Sequence, residues 1–216
     1  MNARWKNMDL KKVFEHFPGP LLIAHASDIS GETVADANFL RLTIDDAPNG
    51  AIMPKETFDG RILSLEDIFA AYPDKCFNFD LRGKSVAAPF CAFVKNADIS
   101  ERILVSSPYR KNLKIVRKLL PAAATSFSAI ELIWIYWLFR SGFLPLVKKF
   151  SADAIVPEFT ESSDAANYSF ISRISDKGIQ VFIRNAGGDV QKFIDSGLRG
   201  FITSDCRRLK NVLDGL

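Results

Sequence analysis

Cysteine is scarce in this chain, glycine-rich phosphate loops are missing, and no hydrophobic run reaches the length of a membrane span. The three cysteines, Cys76, Cys91 and Cys206, are odd in number and far apart. That pattern excludes a disulfide framework and suits small apolar residues in a reducing compartment. The N-terminus M-N-A-R-W-K-N-M-D-L-K-K lacks an apolar core, so a cytoplasmic location without a secretory leader is expected. No G-x-G-x-x-G follows the first strand, which argues against a dinucleotide-binding sheet, and no G-x-S-x-G elbow offers a serine nucleophile. Basic and acidic residues are interspersed at a net charge of +3, with neither a basic stripe nor an aromatic platform, so a nucleic-acid partner is not expected. A single apolar stretch raises the membrane question, F-S-A-I-E-L-I-W-I-Y-W-L-F from Phe127 to Phe139. It is too short to span and carries Glu131. With Arg140, Pro145, Lys148 and Lys149, the segment 127–150 reads either as a membrane-surface or subunit contact, or as a barrel helix with a broad buried face.

What the chain does have is a strand–helix rhythm. Its clearest unit is G-I-Q-V-F-I-R-N-A-G-G-D-V-Q-K-F-I-D-S-G-L-R-G-F-I-T-S-D, Gly178 to Asp205. Ile179–Ile183 is a continuous apolar run, the pattern of a strand buried on both faces. Gly187 and Gly188 break it, and Asp189 is placed to cap a helix over Val190–Ser196. Gly197 ends that helix, and Gly200–Thr203 begins another buried strand. Two parallel strands joined by a helix need cover on both faces, and the rest of the chain repeats the unit. Residues 1–19 read as an amphipathic helix and a Pro-Gly-Pro linker, and 20–216 as one domain. Further strands are expected over Leu21–Ala24, Asn38–Ile44, Cys76–Leu81, Arg102–Ser106, Ala122–Ser126 and Ala154–Val156, with a short hairpin return over Ala51–Met53. Helices are expected over Ser64–Ala71, Ser85–Lys95, Lys111–Leu119, the apolar run, Ser163–Asp176 and Arg207–Leu213. The loop from His25 to Asn38 is polar and too short for a full first helix. Eight buried strands in 216 residues predict a (β/α)8 TIM barrel with a shortened first unit, whose site lies at the C-terminal ends of the strands.

Several segments then resemble, in order and spacing, the glycerophosphodiester phosphodiesterases. They are S-L-E-D-I-F, F-N-F-D-L-R-G-K, I-L-V-S-S-P-Y, V-F-I-R-N and G-L-R-G-F-I-T-S-D. The family counterparts are a P-T-L-E-E-like helix start, N-I-E-L-K, a V-S-S-F strand, W-T-V-N and G-V-D-G-I-I-T-D. The likeness covers Ser64 to Leu213, and it implies the same barrel fold. The activity it implies is phosphoric diester hydrolysis in glycerophosphodiester and lipid metabolism, releasing an alcohol and glycerol 3-phosphate. Such chemistry uses a divalent Mg or Ca ion to offset phosphate charge and a histidine pair to move protons.

Carried over residue by residue, the resemblance places His25 at the first catalytic histidine, though Ala26-Ser27 stands where the family has Arg-Gly. Asp80 falls at the metal-binding glutamate of N-I-E-L-K, and Arg82 at its lysine. On the second strand Arg41 and Thr43 occupy the positions of the two remaining metal-binding acids, and at the second histidine P-K-E-T-F offers Pro54 or Lys55. Arg184 and Asn185 end the seventh strand where the family contacts its ligand, and Phe182 replaces its tryptophan. An inward Arg41 needs a carboxylate, and Asp80 is the one available. A hard cation wants several oxygen ligands, so a lone carboxylate beside an arginine makes a poor site. The sequence therefore points to a phosphodiesterase-like protein with an incomplete metal site. His25 and Arg82 are its candidate catalytic residues, Arg41, Arg184 and Asn185 its ligand contacts, and Asp80 its remaining metal position. The expected partner is a small phosphorylated molecule or glycerophosphodiester. The alternative is an active hydrolase rearranged around His25, Asp80 and Asp45 or Asp46.

Overall fold

The apolar runs pair side by side as parallel strands. The computed structural model describes residues 19–25, 27, 29–46, 52–156, 165–184 and 190–215. The strands are β1 (Leu21–Ala24), β2 (Phe39–Ile44), β3 (Cys76–Leu81), β4 (Ile103–Ser106), β5 (Ala124–Thr125), β6 (Ala154–Ile155), β7 (Gln180–Arg184) and β8 (Gly200–Thr203). Their order across the sheet is β5-β4-β3-β2-β1-β8-β7-β6. A parallel bridge from Ser126 to Ala154 joins the two ends. Hydrogen bonds from Phe127 N–H to the Ala154 carbonyl (3.0 Å) and from Asp153 N–H to the Thr125 carbonyl (2.8 Å) draw the edges together. This is a (β/α)8 barrel, and it is as the strand count predicts.

The helices in chain order are α1 (Gly31–Ala35), α2 (Leu65–Ala71), α3 (Ala87–Ala97), α4 (Arg110–Leu119), α5 (Ala129–Arg140), α6 (Ala165–Ser175), α7 (Val190–Asp195) and α8 (Cys206–Asp214). Ser64 caps α2, its hydroxyl accepting the Asp67 N–H. Ser128 and Glu131 cap α5, the Glu131 carboxylate accepting the Ser128 N–H at 2.8 Å. The same carboxylate takes Arg117 Nη1 at 3.0 Å, which accounts for an acid inside an apolar run. Gly197 leaves α7 at φ +89, a left-handed turn that glycine adopts without strain.

The loop from His25 to Asn38 holds only a short helix, α1, the shortened first unit of the sequence reading, with Val34 and Ala37 buried. One detail differs. The hairpin return is reduced to one antiparallel bridge between Ile44 and Pro54; Ala51 lies outside the described residues, as do the expected helix over 1–16 and Asn185.

Alternation along each strand separates two cores. One face packs against the helices through residues such as Leu40, Leu42, Phe77, Phe79 and Phe201. The other fills the barrel with Leu21, Ile23, Phe39, Cys76, Leu104 and Phe182, among others. The interior is tight where β8 passes Phe182: a Cβ on Gly200 would lie 2.5 Å from the Leu21 carbonyl and 2.8 Å from the Phe182 ring. Gly200→Ala is therefore expected to cost about 1–3 kcal/mol, read as a fall in urea midpoint with unchanged m-value. All three cysteines are buried and unpaired, and burial pushes their thiols up, Cys76 to about 12 and Cys91 and Cys206 to about 11.

Candidate functional site

The inward positions of the strands turn from apolar to charged as they approach the C-terminal rim. On β2 the sequence Phe39, Arg41, Thr43 faces inward, and on β3 Cys76, Asn78, Asp80. Register sets Phe39 beside Cys76, Arg41 beside Asn78 and Thr43 beside Asp80, with Asp80 in turn beside Ser106. Apolar packing thus occupies the barrel's lower layer, and polar groups its mouth.

Arg41 and Asp80 meet there as a buried ion pair. Arg41 Nη2 lies 2.6 Å from Asp80 Oδ2, with both side chains almost fully covered. The same oxygen accepts Arg82 Nε at 2.7 Å from a half-exposed side chain. Among the described residues, Nε and Nη1 of Arg41 have no hydrogen-bond partner. Burying donors without partners costs free energy, so these two nitrogens call for acceptors that the described residues do not provide. The loop carrying Arg82 is pinned on several sides. The Asp46 carboxylate accepts the N–H groups of Lys84 and Ser85 at 2.8 and 3.1 Å, and the Gly83 carbonyl accepts Asn112 Nδ2 at 2.7 Å.

His25 stands at the end of β1, its N–H bonded to the Thr203 carbonyl at 2.8 Å. Burial first, and then the positive charges of Arg41 and Arg184, hold its imidazole down at about 4 from the ordinary 6.5, with Asp80 opposing and Arg82 adding slightly. The imidazole is neutral at physiological pH. Between pH 6.5 and about 4 the unfolded chain takes up a proton that the native state refuses, so stability falls as pH drops through this window. An NMR titration of the imidazole protons is expected to show the His25 resonance moving near pH 4, with His25→Gln removing that resonance and the associated slope in stability.

His25, Arg41, Asp80, Arg82 and Arg184 therefore lie within electrostatic reach of one another at one end of the barrel. Asp45 and Asp46 do not join them. Asp45 pairs with Lys55 at the surface, at 2.6 Å, and Asp46 is occupied by its loop. Glu56, which sequence reasoning passes over, lies buried behind β2 with its carboxylate oxygens 3.0 and 2.9 Å from the Thr43 N–H. Burial raises its pKa, while that N–H and Arg41 oppose. Only the segment P-K-E-T-F returning beside β2 signals it.

The mouth opens into a cavity of about 640 Å³. Among the described residues, Arg41, Arg82, Arg184 and Asp80 are the charged ones that line it, three positive and one negative. The opposite wall is apolar and comes from Phe127, from Leu132, Ile133 and Tyr136 of α5, and from Phe170 of α6. This helix is not the deeply buried one that its composition allows. Only Ile135 of its residues is buried, while Ile133, Trp134 and Trp137 are 63%, 61% and 54% exposed.

Solved structures of known proteins share the whole architecture. One, a protein of Silicibacter pomeroyi assigned as a glycerophosphoryl diester phosphodiesterase, aligns at a TM-score of 0.70 over 97% of this chain and 98% of its own, with 12% identity. A glycerophosphodiester phosphodiesterase of Thermotoga maritima aligns at 0.64 over 91% of this chain and all of its own, at 13% identity. Another from Parabacteroides distasonis aligns at 0.64 over 91% and 98%, at 12% identity. The fold matches the glycerophosphodiester phosphodiesterase family. No family model and no curated protein matches the sequence.

Whether the phosphodiesterase fold here retains a place for a divalent cation is a question of donors. Among the described residues no group of three His, Cys, Asp or Glu side chains stands together to hold a metal. Asp80, the acid that the resemblance assigns to the ion, already shares one oxygen between two guanidinium groups. A cation brought to it would have to displace or approach two fixed positive charges with few oxygens to compensate. The donor set that the described residues offer at Asp80 does not fit Mg or Ca. Nor is any described helix long and apolar enough to cross a membrane.

Proposed function

We propose that this phosphodiesterase-like barrel binds a phosphate-bearing anion at its mouth through arginines, in place of the metal-assisted hydrolysis that the fold family's name suggests. The observation that carries this reading is Arg41. It is 3% exposed, it is fixed by one nitrogen on Asp80, and its Nε and Nη1 are unpartnered among the described residues. Guanidinium groups match phosphate oxygens in geometry as well as charge. Arg82 and Arg184, which line the same cavity, are the further contacts. Asp80 acts here as the anchor that orients Arg41 and Arg82, not as a metal ligand.

The test is calorimetry with inorganic phosphate and glycerol 3-phosphate, in EDTA and then in millimolar Ca²⁺ or Mg²⁺. Equal binding in both is expected, together with thermal stabilisation by phosphate and none by the metal ions. A parallel assay follows glycerol 3-phosphate release from glycerophosphocholine. Metal-dependent release that His25→Ala abolishes would overturn the proposal in favour of the rearranged hydrolase.

A further inference from the structure

The same cavity is larger and more apolar than a phosphate and a glycerol require. At about 640 Å³ it falls in the range of sites for much larger ligands. Its two ends differ in kind, with arginines on the β2, β3 and β7 side and mostly aromatic and aliphatic side chains, with Asn167 among them, on the α5 and α6 side. The apolar wall is firm. Tyr136 packs edge-on against Phe170 at 5.4 Å, and Phe139 meets the same ring at 5.2 Å, while Phe170 is itself 1% exposed. The wall also continues out of the cavity. Ile133 both lines it and lies 63% exposed, and one turn on, Trp137 packs against Trp134 at 6.0 Å on the outer face of α5. A path of apolar surface thus runs from the arginines to the exterior.

We infer that the ligand is a phosphate ester carrying a single apolar chain, its phosphate held by Arg41, Arg82 and Arg184 and its chain lying along Phe127, Leu132, Ile133 and Tyr136. This rests on the phosphate-binding reading above and adds the class of ligand to it. A polar diester would leave the α5 wall wet, whereas a chain covers it and recovers the free energy of burying both surfaces. The exposed tryptophans then line the path along which the chain leaves the cavity.

The experiment uses monoalkyl phosphates of increasing length, ethyl, butyl, hexyl and octyl, below their micelle concentrations, with inorganic phosphate and 1-octanol as the two halves of the ligand. Affinity is expected to rise about three- to four-fold per methylene that reaches the wall, with octyl phosphate well above either half alone. Ile133→Glu is expected to flatten that rise. Ile62→Glu, which alters an equally exposed residue that does not line the cavity, is expected to leave it as in the unaltered protein. Phosphate binding with no dependence on chain length would overturn this inference alone. Octanol binding as tightly as octyl phosphate would overturn it too, since the arginines would then contribute nothing. Failure of every phosphate to bind would remove the underlying reading and this inference with it.

Discussion

Asp80→Ala is expected to lower stability by about 3–5 kcal/mol, because it leaves a buried guanidinium without its counter-charge. For a chain of this length that corresponds to a fall in Tm of roughly 6–20 °C. The two arginines on Asp80 do not share the loss equally. The Arg82 side chain is 44% exposed and can turn to water at little cost. Arg41, at 4%, cannot, and keeps its charge where solvent barely reaches. Asp80→Asn should fall between, since an amide oxygen still accepts but carries no charge. The effect should also depend on buffer: an anion that fits the mouth takes over part of the carboxylate's work, so phosphate should recover stability in the variant more than in the original protein. Thermal melts in phosphate and in a non-coordinating buffer measure both. A loss below about 1 kcal/mol would mean that Arg41 finds another partner when Asp80 is gone.

Arg41→Ala should have the opposite profile, a smaller loss of stability and a larger loss of binding. Asp80 keeps Arg82 at 2.7 Å, so no carboxylate is left bare. The two nitrogens unpartnered among the described residues, Nε and Nη1, disappear, and with them two charge-assisted hydrogen bonds to the ligand at about 1.5–3 kcal/mol each. Phosphate affinity is expected to drop by about 10²–10⁴-fold, measured by calorimetry. Arg41→Lys should not restore it, because one ammonium on a flexible stem cannot serve Asp80 and an anion together. An independent sign is available in the same variant. Arg41 helps hold the His25 imidazole near 4, so its removal should move the His25 titration upward. That shift would occur whether or not any ligand is present.

Much of the barrel is legible in the sequence because parallel strands buried on both faces leave an unmistakable trace. β1, β3 and β8 coincide with the apolar runs Leu21–Ala24, Cys76–Leu81 and Gly200–Thr203, and the caps Ser64 and Gly197 mark helix ends by local chemistry alone. The inward positions follow from the two-residue period, which is why Arg41 and Asp80 can be paired before any coordinates are seen. The remaining features depend on neighbours distant in sequence. β5 and β6 span only two residues each, too few for periodicity to define. α5 is apolar on every side, so no amphipathic stripe reveals which residues face inward; the packing of Phe170 decides it. Glu56 lies in a short return segment, and its burial follows from Thr43 offering an N–H that no strand takes up. Asp46 reads in the sequence as an alternative acid for the site, but its carboxylate accepts the backbone N–H groups of Lys84 and Ser85.

The Arg41–Asp80 contact also bears on how such a barrel changes over generations. In the family pattern that the sequence resembles, acids stand where Arg41 and Thr43 now are. An acid at position 41 would set two carboxylates against each other and remove the buried arginine, whereas an acid at 43 would meet the excess positive charge of Arg41 and Arg82. The change at 41 would cost folding free energy before any cation could be bound, so a metal site assembled here residue by residue would pass through a less stable chain. The ion pair in this way resists its own replacement one residue at a time.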